Sequence, residues 1–122
     1  MESITGSNRI IIPPKGYLQG VRKICDEFGI MMVCDEVMAG WGRTGEYFAC
    51  ENWGIEPDMI TFAKGVTCGY APLGGVIVSK KIAEFFDTHK LDAVLHIQLI
   101  LWAVPQVLRA LTSMKKSTLW IR

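Results

Sequence analysis

Several features that would place this protein in a special class are missing from its sequence. The formal net charge is only +1 over 122 residues, so no strongly basic surface is available for nucleic acid or an anionic membrane. The first residues show no basic segment followed by an apolar one, and no run reaches the roughly 18 apolar residues expected of a membrane span. The sequence therefore predicts a soluble globular protein with neither nucleic-acid nor membrane partners.

Paired cysteines are also missing. The four cysteines stand singly, without any C-x-x-C pair, at Cys25, Cys34, Cys50 and Cys68. At least two of them fall inside apolar segments, which favours reduced core residues over a disulfide framework or a zinc site. We therefore predict no metal site and a cytoplasmic or mitochondrial-matrix location.

The N-terminal part of the chain predicts a short extended segment followed by an amphipathic helix. Residues 9–14 contain three isoleucines and end in two prolines, which disfavour helix before them. Apolar residues then recur at helical spacing over residues 15–28, and Gly29 stands where a left-handed C-cap belongs. The length of 122 residues is enough for one small domain, but well below that of a two-lobed enzyme.

Buried strands and helices alternate in the rest of the interpretable sequence. Continuous apolar runs predict strands at residues 30–34, 59–63 and 76–78, with glycine-rich loops over 36–46 and 66–75. A helical turn is predicted within residues 47–53, and a helix over 80–89 with Ser79 as its N-cap. Strand and helix in alternation indicate an α/β fold with a mostly parallel sheet.

The first two predicted strands each end in an ionisable side chain, Asp35 and Lys64. The carboxyl edge of a parallel sheet is where α/β folds place their sites. Taken alone, Asp35 could equally cap the following turn, and Lys64 could be a solvated loop lysine. The residues around the two positions decide between these interpretations.

Three segments carry a family resemblance: C-D-E-V-M-A-G-W-G-R-T-G (34–45), P-D-M-I-T-F-A-K-G (57–65) and G-Y-A-P-L-G-G-V-I-V-S (69–79). Together they resemble the conserved block of class III pyridoxal-phosphate-dependent aminotransferases, of the omega-aminotransferase or taurine-pyruvate type. The stretch preceding the block is similar as well, so that the resemblance runs from Glu2 to about Lys90. It implies that residues 1–93 are part of the cofactor-binding large domain of the fold-type I architecture.

The resemblance assigns cofactor roles to three residues. Lys64 would hold pyridoxal 5'-phosphate in imine linkage and, once freed, would move a proton between substrate and cofactor. Asp35 would pair with the protonated pyridine nitrogen and keep the ring an electron sink. Val37 would press against one face of the ring, a role that is hard to separate from ordinary packing.

Three further residues are candidates for the substrate side. Glu2 resembles an acidic residue that lies there in the family, although Ser3 follows it where proline is common, and a frayed terminal acid is the alternative. Trp41 would wall a substrate pocket or simply pack. Arg43, in the G-R-T-G turn, would face a carboxylate substrate or form a structural ion pair.

The family pattern stops after Lys90. Read one base earlier, the codons of Leu95 to Gln106 permit T-Y-S-A-H-P-L-G-C-A-A, the block that the family shows next, and the junction of Trp102 with Ala103 forces its glycine. We therefore predict a single-base frameshift between about Lys90 and Leu95, with residues 94–122 as an out-of-frame tail. A real, diverged tail is the alternative, and the coding DNA distinguishes the two.

The resemblance also implies an activity. An intact family member would transfer an amino group from an amine or amino acid to a 2-oxo acid such as pyruvate, and would act as a homodimer. The family's phosphate-binding cup and substrate-carboxylate arginine are not found in this sequence, so we expect the chain itself to be inactive. A cofactor-dependent aminomutase, or a non-catalytic piece that binds an intact homologue, are the alternatives, and the amine donor stays undetermined.

Overall fold

The computed structural model describes residues 1–89, and within them the predicted alternation of helix and strand is present. The elements in chain order are α1 (Tyr17–Phe28), β1 (Val33–Asp35), a first 3-10 helix (Ala49–Trp53), β2 (Met59–Phe62), a second 3-10 helix (Lys64–Thr67), β3 (Gly75–Val78) and α2 (Lys80–Thr88). The α/β class is confirmed. The predicted frameshift and the tail at 94–122 lie outside the described residues.

The three strands form one mixed sheet in the order β1-β2-β3. β1 and β2 are parallel, with Asp35 opposite Thr61, whereas β2 and β3 are antiparallel, with Met59 opposite Val78. The first residues of the chain lie along the free edge of β1, where Glu2 forms a parallel bridge to Asp35. The parallel pair brings the ends of β1 and β2 to the same edge of the sheet.

The core lies between α1, β1 and the first 3-10 helix. Its buried members are Leu18, Cys25, Met32, Cys34, Cys50 and Ile55. Three of the four cysteines are buried and all four are free thiols, while Cys68 is exposed. The prediction that the cysteines are core residues is therefore confirmed at three positions and wrong at Cys68.

The first strand is shorter than predicted. β1 begins at Val33, and Ile30 and Met31 are 55% and 60% exposed rather than buried on both faces. The cause is the end of α1, where Gly29 adopts a left-handed conformation and the Ile30 amide donates to the Cys25 carbonyl in a Schellman-type cap. The first residues of the apolar run therefore cap α1 and connect it to the sheet, and the strand begins only at Val33.

The second helix differs from prediction at its start. Ser79 occupies the N-cap position, but its hydroxyl is buried without a hydrogen-bond partner and makes no cap bond. The Ser79 amide instead donates to the Asp58 carbonyl, which ties the helix to the loop before β2. No residue of α2 is buried, and Phe85 is 55% exposed. Within residues 1–89 no helix has both the length and the apolar character to cross a bilayer.

Candidate active site

Asp35 and Lys64 lie at the same edge of the sheet. Asp35 is the last residue of β1 and sits opposite Thr61 of β2, and Lys64 follows Thr61 by three positions, just beyond the end of that strand. Adjacent parallel strands thus deliver one carboxylate and one amine to their common carboxyl edge, the position where α/β folds place ligands.

Asp35 is held by backbone bonds on both sides. Its amide donates to the Met1 carbonyl at 2.7 Å, and its Oδ1 accepts a hydrogen bond from the Val37 amide at 3.0 Å. Its Oδ2 has no hydrogen-bond partner among the described residues. The half-buried side chain is therefore fixed in direction while one oxygen stays available to accept a further proton donor.

Lys64 combines an unusual backbone with an open amine. Its φ of 44° places a residue with a side chain in the left-handed region, which is uncommon outside glycine, asparagine and aspartate. The side chain is exposed, and its Nζ donates to the Met38 sulfur at 2.7 Å. No carboxylate pairs with this amine within the part of the chain that the structure describes. A thioether is a weak acceptor, so the amine is left able to react with a carbonyl.

Trp41 packs beside the lysine. Its ring meets those of Phe48 and Phe62 edge-on, with centroids 5.5 and 5.3 Å away. A Cβ built on Gly65 would lie only 2.7 Å from the Trp41 Cβ, so the residue after Lys64 must be glycine for this contact to exist. Trp41 therefore packs, as one of its two predicted roles requires, and this packing fixes the backbone next to Lys64.

An open cleft of about 500 Å³ joins Trp41 to the lysine. It is lined by Gly40, Trp41, Gly42, Arg43, Lys64, Gly65, Cys68 and Gly69. Arg43 is exposed and forms no salt bridge among residues 1–89, so the structural ion pair weighed for it is not seen there. The cleft thus carries two cationic side chains and no acidic one.

Glu2 is not a frayed terminal residue. Its backbone bridges to Asp35, and its Oε2 accepts a hydrogen bond from the Gly6 amide, which closes a tight turn. Val37 is half-buried and contributes its amide to Asp35. Both residues therefore lie close to the end of β1.

Glu36 is a residue to which the sequence analysis gave no role. It is fully buried, and its carboxylate accepts hydrogen bonds from the Ser3 hydroxyl at 2.6 Å and from the amides of Ala49 and Cys50 at 2.9 Å each. Glu36 directly follows β1 and continues the alternation of the strand, so it points into the core, whereas Asp35 is half-buried. An acid directly after a buried strand was the available signal.

The thiols of Cys34 in β1 and Cys50 in the first 3-10 helix are buried and hydrogen-bonded to each other. The hydrogen bond between them lowers the pKa of Cys34, and the same bond together with burial raises the pKa of Cys50. Both thiols are buried in the core, and neither lines the cleft beside Lys64. Within residues 1–89, no three His, Cys, Asp or Glu side chains are arranged to hold a metal ion.

Comparison with known proteins supports the family resemblance of the sequence. The family profile of class III aminotransferases matches residues 1–96. A taurine:2-oxoglutarate aminotransferase from Bifidobacterium kashiwanohense, solved with PLP and glutamate, is 62% identical over 78% of this chain and 21% of its own, with a TM-score of 0.76.

Two other solved structures resemble the chain over more of its length. A transaminase from the marine bacterium Virgibacillus is 40% identical, covering 98% of this chain and 28% of its own, with a TM-score of 0.86. A thermostable (S)-enantioselective omega-transaminase from Thermomicrobium roseum is 37% identical, covering 98% and 27%, with a TM-score of 0.81.

The chain spans between about a fifth and somewhat over a quarter of the length of these structures. The cofactor that the family indicates is pyridoxal phosphate. With the family profile covering most of the sequence, and with Asp35 and Lys64 at one edge of the sheet, the chain belongs to the class III aminotransferases.

Proposed function

We propose that the protein to which these residues belong transfers an amino group from an amine or amino acid to a 2-oxo acid such as pyruvate, with pyridoxal phosphate as its cofactor. One observation carries this proposal: an exposed lysine amine and an aspartate with a free carboxylate oxygen share the edge of two parallel strands. The amine and the 2-oxo acid would be its small-molecule partners, and a homodimer would be its working form.

The residues at this edge fit the two reactive ends of the cofactor. The Lys64 amine, which no described carboxylate neutralises, suits the aldehyde. The Oδ2 of Asp35 suits the protonated pyridine nitrogen, since Oδ1 is already engaged by the Val37 amide. The side chain of Val37, next but one to Asp35, would lie against a face of the ring.

The residues of the chain would then have distinct roles in the reaction. Pyridoxal phosphate, when bound, supplies an electron sink that stabilises negative charge on the substrate carbon. Lys64 Nζ would take the proton from that substrate carbon and deliver it to a carbon of the cofactor. Asp35 would keep a proton on the ring nitrogen. Trp41, which is wedged between Phe48 and Phe62, would keep water from one side of the lysine, and Arg43 would attract a carboxylate to the cleft.

Trapping the cofactor on the protein tests this assignment. The chain is mixed with excess pyridoxal phosphate, reduced with borohydride and mapped by peptide mass spectrometry, with the exposed Lys23 as an internal reference. We expect label at Lys64 in clear excess over Lys23. Lys64→Arg keeps the charge and should remove the excess, whereas Lys15→Arg, at another exposed lysine, should leave the ratio of Lys64 label to Lys23 label unchanged. Equal labelling of all exposed lysines would contradict the role of Lys64.

We also propose that the 122-residue chain alone holds the cofactor weakly and does not turn over, because the cleft at Lys64 is open and the chain spans only about a fifth to somewhat over a quarter of the length of the similar structures. Absorbance after gel filtration measures retention. Assays with pyruvate and taurine, β-alanine or other amines measure turnover, for this chain and for a full-length version. A retained cofactor together with amine-dependent turnover by the chain alone would refute the proposed inactivity. Transamination by the full-length version would support the wider proposal.

A further inference from the structure

Glu36 connects four separate segments of the chain. Its carboxylate holds Ser3 of the N-terminal segment and the first two residues of the 3-10 helix at Ala49–Trp53. Its backbone amide donates to the Thr61 carbonyl of β2 at 2.9 Å, and its backbone carbonyl accepts from the Gly40 amide at 3.0 Å. No other described side chain makes as many bonds between segments. Every hydrogen-bonding group of Glu36 has a partner, as expected for a polar residue that is fully buried.

These contacts continue in space to Lys64. The 3-10 helix begins at Ala49, next to Phe48, whose ring packs on Trp41. Trp41 in turn is in contact range of Gly65, the residue after Lys64. The loop between Glu36 and Ala49 is also closed by the Trp41 amide, which donates to the Tyr47 carbonyl at 2.6 Å. The place of Trp41 beside Lys64 thus depends on where the 3-10 helix is held.

We infer that Glu36 is a positioning residue of this site: its buried carboxylate anchors the 3-10 helix at Ala49–Trp53, and thereby sets Trp41 against the backbone of Lys64 and Gly65. The inference rests on the proposed role of Lys64 as the cofactor-linking residue. Glu36 itself touches neither amine nor cleft, so it acts through the residues that it holds. Asp35, the preceding residue and the last of β1, lies at the edge of the sheet where the site is proposed.

The variant Glu36→Gln keeps the size of the side chain and disrupts its bonding. An amide offers one acceptor oxygen and a donor NH₂ group, so it cannot accept from the Ala49 amide as well as from Ser3 and Cys50. Glu56→Gln is the matched control, because Glu56 is exposed and makes no hydrogen bond or salt bridge among the described residues. Ser3→Ala removes a single donor and should give a smaller effect in the same direction.

Two readouts are needed. Maleimide labelling of native protein, mapped by mass spectrometry, compares Cys50 on the 3-10 helix with Cys25 in α1, both buried in the wild type. Loss of a buried hydrogen bond to a charged group increases the equilibrium population of the locally unfolded state by about tenfold to a hundredfold. We expect Glu36→Gln to accelerate labelling of Cys50 by about that factor while Cys25 stays protected. Borohydride trapping should show that the Lys64 to Lys23 ratio falls in the same variant and is unchanged in Glu56→Gln.

Each other outcome overturns the inference in a distinct way. Equal acceleration at Cys25 and Cys50 would mean that Glu36 stabilises the whole fold rather than one element. Opening at Cys50 without a fall in the Lys64 ratio would mean that the 3-10 helix does not position the site. If the unaltered chain shows no preference for Lys64 over Lys23, the proposed function fails first, and the positioning role fails with it.

Discussion

The two halves of the described structure differ sharply in how much of their surface they bury. Residues 1–58 contain eight of the nine buried apolar side chains, including Leu18, and residues 59–89 contain only Val66. β3 exposes Val76 at 56%, and α2 buries no residue. The half that carries β1 therefore has a core of its own, whereas in the half that carries β2 and β3 the apolar residues of β3 and the phenylalanines of α2 are exposed.

This difference separates the two groups of the candidate site. Asp35 ends a strand that is fixed by the core, by the N-terminal segment and by Glu36 beside it. Lys64 follows a strand whose residues are all half-buried, and it begins a short 3-10 helix with a strained backbone. The carboxylate is thus positioned by packing that the chain itself provides. The position of the amine depends on the packing of Trp41 against Gly65, which agrees with the weak cofactor retention proposed above.

The largest expected effect tests the core of the packed half. Leu18→Ala removes a fully buried side chain from α1 and should destabilise the chain by about 2–5 kcal/mol. Phe85→Ala, on the exposed face of α2, should change stability by no more than about 0.5 kcal/mol. Urea unfolding followed by circular dichroism measures both. Similar losses for the two variants would show that α2 is packed in solution and would remove the contrast between the halves.

The next effect tests the contact that links the halves. Gly65→Ala places a methyl group 2.7 Å from the Trp41 Cβ and should cost about 1–3 kcal/mol, because two backbones would have to separate. A double-mutant cycle with Trp41→Gly provides the control, since removing the opposing Cβ should relieve most of that cost. An undiminished cost in the Trp41→Gly background would contradict the contact.

A smaller and pH-dependent effect concerns the ion pair that ties α1 to the loop before β2. Burial alone would raise the pKa of Asp58, but hydrogen bonds from Arg22 at 2.7 Å and from the Met32 amide outweigh it and lower the pKa below its usual value. Asp58 therefore adds stability above its unfolded pKa of about 3.9, and this contribution is lost as the pH falls through the lower folded pKa. Asp58→Asn should cost about 1–2 kcal/mol at pH 7.

Unfolding measured as a function of pH checks this prediction. The difference in stability between wild type and Asp58→Asn should shrink as the pH falls below about 4. Asp26→Asn is the control, because Asp26 meets the same arginine on the exposed surface of α1, where ion pairs contribute little. A difference that stays constant down to pH 2 would exclude the lowered pKa as its origin.

The sequence predicted local elements better than the contacts between distant segments. Helix α1 and the ends of β1 and β2 follow from apolar periodicity and from Gly29, because these signals are local. The bonds of Glu36 to Ser3 and Cys50 join residues 33 and 14 positions apart, and no pattern along the chain reports them. The burial predicted for Ile30 was wrong for a different reason: an apolar run does not reveal whether a helix cap or a strand uses its first residues.

The smallest effect distinguishes helix propensity from packing in α1. Gly20 is exposed inside the helix, and a Cβ built there meets no atom within 4 Å, so Gly20→Ala should stabilise the chain by about 0.5–1 kcal/mol. Gly29→Ala is the matched control: the space around Gly29 is equally empty, but its φ of 65° disfavours any side chain. The same substitution there should destabilise by about 1 kcal/mol. Urea midpoints that move in opposite directions would support the helix cap at Gly29, whereas a stabilising Gly29→Ala would mean that α1 does not end at that residue.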